Sequence, residues 1–173
     1  MIAVEPNNPE WYTPQYILER VYATLGGVSL DPCCNLYGTP NVAAERHYRL
    51  PTDGLSEPWG EGNTKIFLNP PYGRAIGKWT KKLTEEFLAG GVKSAITLVP
   101  VKSDTKWWTV LLESASCWCA IRGRIRFDSP SGGNGQTGTF ASALVLLTKD
   151  EETTSRFMSL FEDMGHIWWS GKK

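Results

Sequence analysis

Residues 64–72 read Thr-Lys-Ile-Phe-Leu-Asn-Pro-Pro-Tyr, and this stretch decides the fold. Its first five residues form a short apolar run that predicts a buried β-strand. The two prolines end that strand because proline has no backbone N–H to donate to a neighbouring strand. Residues 75–88 follow as an amphipathic helix whose apolar face carries Ile76, Trp79, Leu83 and Phe87. A strand followed closely by a helix is typical of a parallel α/β sheet.

The same alternation extends in both directions from this unit. Further strands are predicted at residues 28–31, 95–99, 117–121, 124–127, 140–147 and 165–169. Further helices are predicted at residues 14–25, 41–48 and 151–161. One more helix is predicted to begin at an N-cap, Ser103 or Asp104, and to run to Leu112. The fold class is therefore α/β, with a mostly parallel central sheet, helices on both faces and antiparallel strands late in the chain. Because such sheets bind ligands beyond the carboxyl ends of their strands, a site is expected after Asp31, Leu68 and Val99.

The composition predicts one folded domain over residues 1–173. The chain is 41% hydrophobic, and a chain of this length buries about 70% of its surface on folding. Its 18 basic and 18 acidic side chains cancel, which excludes a polycationic coat protein and an acidic disordered tail. Any contact with nucleic acid must come from a local basic patch. The eight tryptophans either pack in the core or line a pocket for a planar ligand, and their number does not decide between these roles.

The cysteines and the apolar runs indicate where the protein works. Cys33-Cys34 and Cys117-x-Cys119 lack the spacing of zinc ligands, so we expect free, buried thiols in a reducing cytosol and no bound metal. The N-terminal residues show no signal peptide, and no apolar run reaches the roughly 18 residues that a membrane span needs. The sequence therefore predicts a soluble, cytoplasmic protein that does not enter a membrane.

The tetrapeptide Asn69-Pro70-Pro71-Tyr72 carries the most particular chemistry. A bare proline pair would only terminate a strand, but here the prolines hold backbone carbonyls in a stiff, extended turn. Asn69 adds a side-chain carbonyl and Tyr72 a flat ring. Together these groups can accept two hydrogen bonds from one amine while the ring stacks on the heterocycle that carries it. The tetrapeptide resembles the catalytic motif of amino-group methyltransferases that use S-adenosylmethionine and act on adenine in DNA, on RNA or on a protein glutamine.

Two further segments resemble cofactor-binding parts of the adenine methyltransferases. Trp11-Tyr12-Thr13-Pro14 opens the first helix, with Thr13 as the predicted N-cap and Pro14 in the first helical position. The resemblance implies that Tyr12, Thr13 and Pro14 hold the methionine end of the cofactor, although an ordinary capped helix has the same pattern.

The second segment is Asp31-Pro32-Cys33-Cys34-Asn35, which is similar to the family's acidic-Pro-x-x-Gly loop. The resemblance implies that Asp31 faces the cofactor ammonium and that Pro32 and Asn35 of the same loop also bind the cofactor. It gives Asn69 a place at the cofactor site as well. Asn35 stands where glycine is usual, and we expect it to take the left-handed conformation that asparagine tolerates better than most residues.

The segment Asp53-Gly54-Leu55 has two interpretations. In related enzymes an aspartate in this place accepts a hydrogen bond from the adenine amine of the cofactor, while an Asp-Gly pair is also a common turn. For the cofactor ribose the sequence offers no convincing acidic residue beyond Glu45.

The whole pattern, from Trp11 to Leu147, resembles the short Dam-type DNA adenine methyltransferases of bacteriophages and prophages. The resemblance implies a Rossmann-like class I methyltransferase, with S-adenosylmethionine as cofactor and duplex DNA as partner. The target base must then be flipped out of its stack. The chain leaves no room for a separate target-recognition domain, so loops must read the DNA, and a monomer is the favoured state.

Basic residues give the predicted DNA interface. Arg122, Arg124 and Arg126 alternate and would share one face of a strand, while Lys102 and Lys106 flank the end of another strand. The arginines either contact phosphates or form a solvated strand face. Asn134 and Gln136 of the glycine-rich loop at residues 129–138 have side chains that can read base edges.

Two rival functions stay open at this point. One is an amine methyltransferase that acts on RNA or on a protein glutamine. The other is a catalytically silent nucleotide-binding module, against which the intact Asn69 and Tyr72 argue.

Overall fold

The computed structural model describes residues 11–129 and 135–171. Within these residues the strands are β1 (Val28–Asp31), β2 (Ala44–His47), β3 (Thr64–Leu68), β4 (Val92–Pro100), β5 (Cys117–Ile121), β6 (Ser142–Thr148) and β7 (Gly165–Trp169). The helices are α1 (Gln15–Leu25), α2 (Ile76–Leu88), α3 (Lys106–Ser114) and α4 (Glu151–Phe161). All these strands form one sheet in the order β2-β1-β3-β4-β6-β5-β7.

The sheet is parallel in its first half and antiparallel in its second. Strands β2, β1, β3 and β4 pair in parallel. Strand β6 runs antiparallel to both β4 and β5, so β4 and β5 point the same way, and β7 is antiparallel to β5. This mixed α/β sheet confirms the predicted fold class and is consistent with a Rossmann-like methyltransferase.

The strand order places a crevice between β1 and β3. The chain leaves β1 for its neighbour β2 on one side and then crosses to β3 on the other side. Such a reversal opens a crevice at the carboxyl ends of the two strands, which is where sheets of this kind bind ligands. Asp31 ends β1 and Asn69 follows β3, so both lie at this crevice.

Two layers of apolar side chains cover the sheet, one on each face. In β3, Phe67 contributes to the cluster that includes α1 and α4, while Ile66 and Leu68 contribute to the cluster of α2 and α3. This alternation follows from the two-residue period of a strand. Trp59 and Trp79 stack with ring centroids 6.3 Å apart inside the second layer, so these two tryptophans are core residues.

The predicted helix at residues 41–48 is wrong, because the segment contains the edge strand β2. Ala44 pairs with Val28 and His47 with Asp31 along β1. The segment has few apolar residues, so hydrogen bonding to an existing strand outweighs its weak helical pattern. Glu45 is exposed on this edge strand.

The predicted strand at residues 124–127 is also wrong as a continuous element. Its pairing is limited to single bridges between Arg126 and Thr137 and between Asp128 and Tyr12. Gly123 takes a positive φ of 76°, so the chain turns directly after β5 instead of continuing it. The alternation itself persists, because Ile125 and Phe127 are buried while the arginines beside them are exposed.

Two helix starts differ from the prediction. Pro14, not Thr13, is the N-cap of α1, and no described side chain caps it. Helix α3 begins after Thr105 rather than after Ser103 or Asp104. Of the helices in the described part of the chain, none has the length and apolar character needed to cross a membrane.

Candidate active site

Three segments meet at the carboxyl edge of β1 and β3. The side-chain amide of Asn69 donates to the Thr13 hydroxyl at 3.2 Å and to the Trp11 carbonyl at 3.4 Å. The side-chain amide of Asn41 donates to the Thr13 carbonyl at 3.3 Å. The segment before α1 is therefore tied both to the turn after β3 and to the loop after β1.

The turn at Asn69 presents two acceptors. Thr97 of β4 donates its hydroxyl to the Leu68 carbonyl at 2.9 Å and fixes the end of β3. Asn69 is half-buried and Pro70 is buried. Neither the Asn69 Oδ1 nor the Pro70 carbonyl accepts a hydrogen bond from another described residue. Two carbonyl oxygens at a stiff turn can bind one amine.

The Tyr72 side chain is held against this turn from the interior. Its ring lies edge-on to Phe127 with centroids 6.4 Å apart. Its hydroxyl is buried and has no hydrogen-bond partner among the described residues. Burial raises the pKa of Tyr72 well above its ordinary value, so the phenol is neutral at physiological pH. A buried polar group without a partner destabilises the protein and is often found at functional sites.

Phe127 belongs to the site, and the sequence analysis did not identify it. Its ring packs edge-on against Trp11 at 5.9 Å as well as against Tyr72. The backbone of Asp128 beside it exchanges two hydrogen bonds with Tyr12, at 3.2 and 2.9 Å. The available signal was the alternation of apolar and basic residues at 124–127, which places Phe127 on the buried face.

Asp31 is a buried carboxylate at the end of β1, with 3% of its surface exposed. The Cys33 N–H donates to its Oδ1 at 3.1 Å. Desolvation raises the pKa of Asp31 to about 6, although that hydrogen bond and nearby His47 act in the opposite direction. A carboxylate that is desolvated but still ionised at neutral pH is suited to bind a cationic group.

Asn35 organises the loop after Asp31 through its side chain. Its amide nitrogen donates to the Tyr12 hydroxyl at 3.1 Å and to the Thr39 carbonyl at 3.1 Å, and its Oδ1 accepts from the Asn41 N–H at 2.8 Å. The expected left-handed conformation is wrong, because every described residue with positive φ is a glycine. Asn35 therefore substitutes for the usual glycine by bonding the loop together and not by backbone freedom.

Asp53 forms an Asp-Gly turn, which is one of the two roles that the sequence predicts for it. Its carboxylate accepts from the Leu55 N–H at 3.0 Å and from the Ser56 hydroxyl at 3.2 Å. The turn lies against the loop after β1, since a Cβ on Gly54 would come within 2.0 Å of the Pro32 carbonyl. Asp53 is exposed next to that loop, so a role toward a ligand stays a prediction.

The predicted basic residues lie at the same edge of the sheet as Asn69. Lys102 follows the carboxyl end of β4, and its amine lies 4.2 Å from the centroid of the exposed Phe140 ring. Lys106 is exposed at the start of α3. Three exposed arginines follow β5, namely Arg122, Arg124 and Arg126. Because β5 runs in the same direction as β4, its carboxyl end lies at the same edge of the sheet. Asn134 lies outside the described residues.

No disulfide joins the cysteines that the structure describes. Cys34, Cys117 and Cys119 are buried and Cys33 is partly exposed. Burial raises the pKa of Cys117 to about 12 and that of Cys119 to about 11, so these thiols stay protonated and unreactive. In the described ranges, no group of three or more His, Cys, Asp or Glu side chains is placed to hold a metal ion.

Comparison with known proteins gives two matches. Residues 3–170 match the family model of DNA N-6-adenine-methyltransferase (Dam). The chain is also 24% identical over 155 residues to a DNA N-6-adenine-methyltransferase of Escherichia phage T1. That alignment covers 81% of this chain and 62% of the relative, so the chain spans less than two thirds of the relative's length.

Proposed function

Because the chain belongs to the DNA N-6-adenine-methyltransferase (Dam) family, we propose that it methylates the exocyclic N6 amine of adenine in DNA with S-adenosylmethionine as methyl donor. The observation that carries this proposal is a pair of acceptors after β3 to which no described residue donates, the Asn69 Oδ1 and the Pro70 carbonyl. They lie at the crevice between β1 and β3, where an α/β sheet of this order binds its ligands.

The residues around Asp31 fit the proposed cofactor. S-adenosylmethionine, when bound, supplies an electrophilic methyl group on a positively charged sulfur. The buried Asp31 carboxylate is suited to its ammonium group, and the first turn of α1, without a side-chain cap, has N–H groups free for its carboxylate. Tyr12, Thr13 and Pro14 form that helix start, while Pro32 and Asn35 shape the facing loop.

Asp53 is the proposed acceptor for the adenine amine of the cofactor. Each of its carboxylate oxygens accepts one hydrogen bond within the turn and has a further lone pair available. The contact of Gly54 with the Pro32 backbone keeps this turn beside the Asp31 loop. Asp53 can therefore hold its turn together and still accept a hydrogen bond from the adenine amine.

Catalysis follows from the acceptor pair. The adenine amine is a poor nucleophile because its lone pair is delocalised into the ring. When the Asn69 Oδ1 and the Pro70 carbonyl each accept a hydrogen bond from the amine, its nitrogen can become pyramidal and direct its lone pair at the methyl group. Positive charge then develops on nitrogen, so these two hydrogen bonds strengthen in the transition state more than in the ground state.

Tyr72 and Pro71 complete the pocket for the base. An adenine in duplex DNA must leave its stack before its amine can reach Asn69. Tyr72 provides the ring on which the flipped base stacks, and Phe127 keeps that ring upright by its edge-on contact. Pro71 is exposed between the acceptor pair and the ring, and it stiffens the turn.

The basic edge provides the proposed contact with duplex DNA. Lys102 and Lys106 follow β4, and the three arginines from Arg122 to Arg126 follow β5 at the same edge as the acceptor pair. Lys and Arg side chains neutralise phosphates in any sequence, so they position the duplex and do not select a target. We propose that one methyltransferase domain over residues 1–173 acts as a monomer in the cytoplasm of a bacterial host cell.

One experiment tests this function against its rivals. Labelled S-adenosylmethionine is offered together with duplex DNA, RNA and host protein extract, and the label in each fraction is counted. We expect label in DNA, on N6 of adenine after digestion to nucleosides. Label in RNA or protein alone, or in no fraction, contradicts the proposal.

A further inference from the structure

The carboxamide of Asn69 ends in an oxygen, Oδ1, and a nitrogen, Nδ2, and only the oxygen can assist methyl transfer to an amine. If the proposed function holds, the Oδ1 end must face the target amine, because an amide NH₂ in that place would oppose the donor hydrogens of the amine. The two ends are nearly equal in size and shape. Something in the protein must therefore hold the side chain in one of two orientations.

Two acceptors on the segment before α1 hold the NH₂ end. The Asn69 Nδ2 donates to the Thr13 Oγ1 at 3.2 Å and to the Trp11 carbonyl at 3.4 Å. In the opposite orientation the Asn69 carbonyl would face the Trp11 carbonyl and lose that hydrogen bond, and the Thr13 hydroxyl would have to turn and donate its O–H to the Asn69 oxygen. The Trp11 carbonyl can act only as an acceptor, so it disfavours that orientation strongly.

These acceptors are themselves fixed in place. Thr13 is buried, with 1% of its surface exposed. The next residue back, Tyr12, exchanges two backbone hydrogen bonds with Asp128, and the Trp11 ring packs against Phe127. The segment therefore cannot follow a rotation of the Asn69 side chain.

We propose that Thr13 is a positioning residue for methyl transfer, whose hydroxyl acts together with the Trp11 carbonyl to hold the NH₂ end of the Asn69 carboxamide, so that its Oδ1 faces the target amine. The role is compatible with cofactor binding, because a hydroxyl that accepts from Asn69 retains its own O–H to donate to an anion.

A double-mutant cycle tests this role. The variants are Thr13→Val, which keeps the shape but loses the hydroxyl, Thr13→Ser, which keeps the hydroxyl, and each of them combined with Asn69→Ala. The rate of methyl transfer is measured with duplex DNA at saturating S-adenosylmethionine and DNA, so that weaker cofactor binding does not enter. Thermal unfolding identifies any variant that does not fold, and Thr13→Ala replaces Thr13→Val in the cycle if the latter is unfolded.

We expect Thr13→Val to lower kcat about tenfold, the effect of one lost hydrogen bond, and Thr13→Ser to stay within about twofold of the parent. In the Asn69→Ala background the valine should cause no further loss, because the side chain through which Thr13 acts is absent. A full additional tenfold loss in that background would overturn the positioning role and leave the proposed function intact. Parental activity in Asn69→Ala itself would overturn the catalytic role of Asn69, whereas failure of the parent protein to methylate adenine in DNA would overturn the proposed function.

Discussion

Replacing Asp31 with asparagine should stabilise the cofactor-free protein at pH 7 and weaken its binding of S-adenosylmethionine. Burial raises the pKa of Asp31 from 3.8 to about 6, so the folded state binds this proton more tightly than the unfolded state does. Stability must therefore fall as the pH rises from about 4 to about 6, and the loss is complete above that range. The difference between the two pKa values corresponds to about 3 kcal/mol at neutral pH.

Asparagine avoids this cost because it carries no charge at any pH, and its side-chain oxygen can still accept the Cys33 N–H. Urea unfolding of the parent and Asp31→Asn should give a stability difference that grows between pH 4 and 6 and then stays constant, at up to about 3 kcal/mol in favour of the variant. Asp104→Asn, the same change at an exposed aspartate, is the matched control and should not reproduce the stabilisation that Asp31→Asn gives.

The affinity for S-adenosylmethionine should fall in Asp31→Asn, although the stability of the protein rises. Loss of the carboxylate should weaken S-adenosylmethionine binding by about 2 kcal/mol or more, which is roughly thirtyfold, as for other truncated charge pairs in buried sites. In the parent, affinity should rise as the pH increases through about 6, since the ionised carboxylate is the form that binds an ammonium. Identical stability profiles for parent and variant between pH 4 and 7, or unchanged cofactor affinity, would refute this reasoning.

Three further predictions concern the base pocket and the basic edge. Tyr72→Phe removes a buried hydroxyl without a described partner and should stabilise the protein by about 1 kcal/mol, or about 2–4 °C in Tm; a lower Tm would show that the hydroxyl has a stabilising partner. Tyr72→Ala should weaken capture of the flipped base by about 1–3 kcal/mol, seen as a higher KM for DNA, and an unchanged KM would remove the ring from the pocket. Arg124→Ala should lower the salt dependence of DNA affinity by roughly one phosphate contact, whereas an unchanged slope would remove Arg124 from the interface.

Local sequence patterns predicted the elements that depend on local physics. Strand β3 and helix α4 have the predicted bounds, and α2 differs by one residue at its start. In each of these elements the apolar period and the flanking residues agree with the tertiary packing. The position of Asn69 and Asp31 at one edge also follows from the sequence, because both come directly after predicted parallel strands.

The elements that the sequence did not predict depend on distant partners. Strand β2 exists because β1 offers it a free edge, and residues 125–128 are placed by Tyr12 and by residues 136–138. The Thr13 hydroxyl accepts from Asn69, 56 positions later in the chain, and the N-cap of the helix next to it is Pro14. Local propensity cannot reveal such pairings, since the competing partner lies far away in sequence.

The most direct test of the account measures methyl transfer and cofactor binding on the same Asn69→Ala preparation. Binding of S-adenosylmethionine is measured by titration, and labelled methyl transfer to duplex DNA is measured in a single turnover. The loss of one aligned acceptor costs about 3 kcal/mol in the transition state, so we predict a rate on the order of a hundredfold below the parent. Cofactor affinity should stay within about twofold of the parent, because the missing oxygen acts on the amine. Asn69→Asp, which keeps an acceptor oxygen, should retain part of the activity. Methylation of adenine by Asn69→Ala at the parental rate would contradict the account.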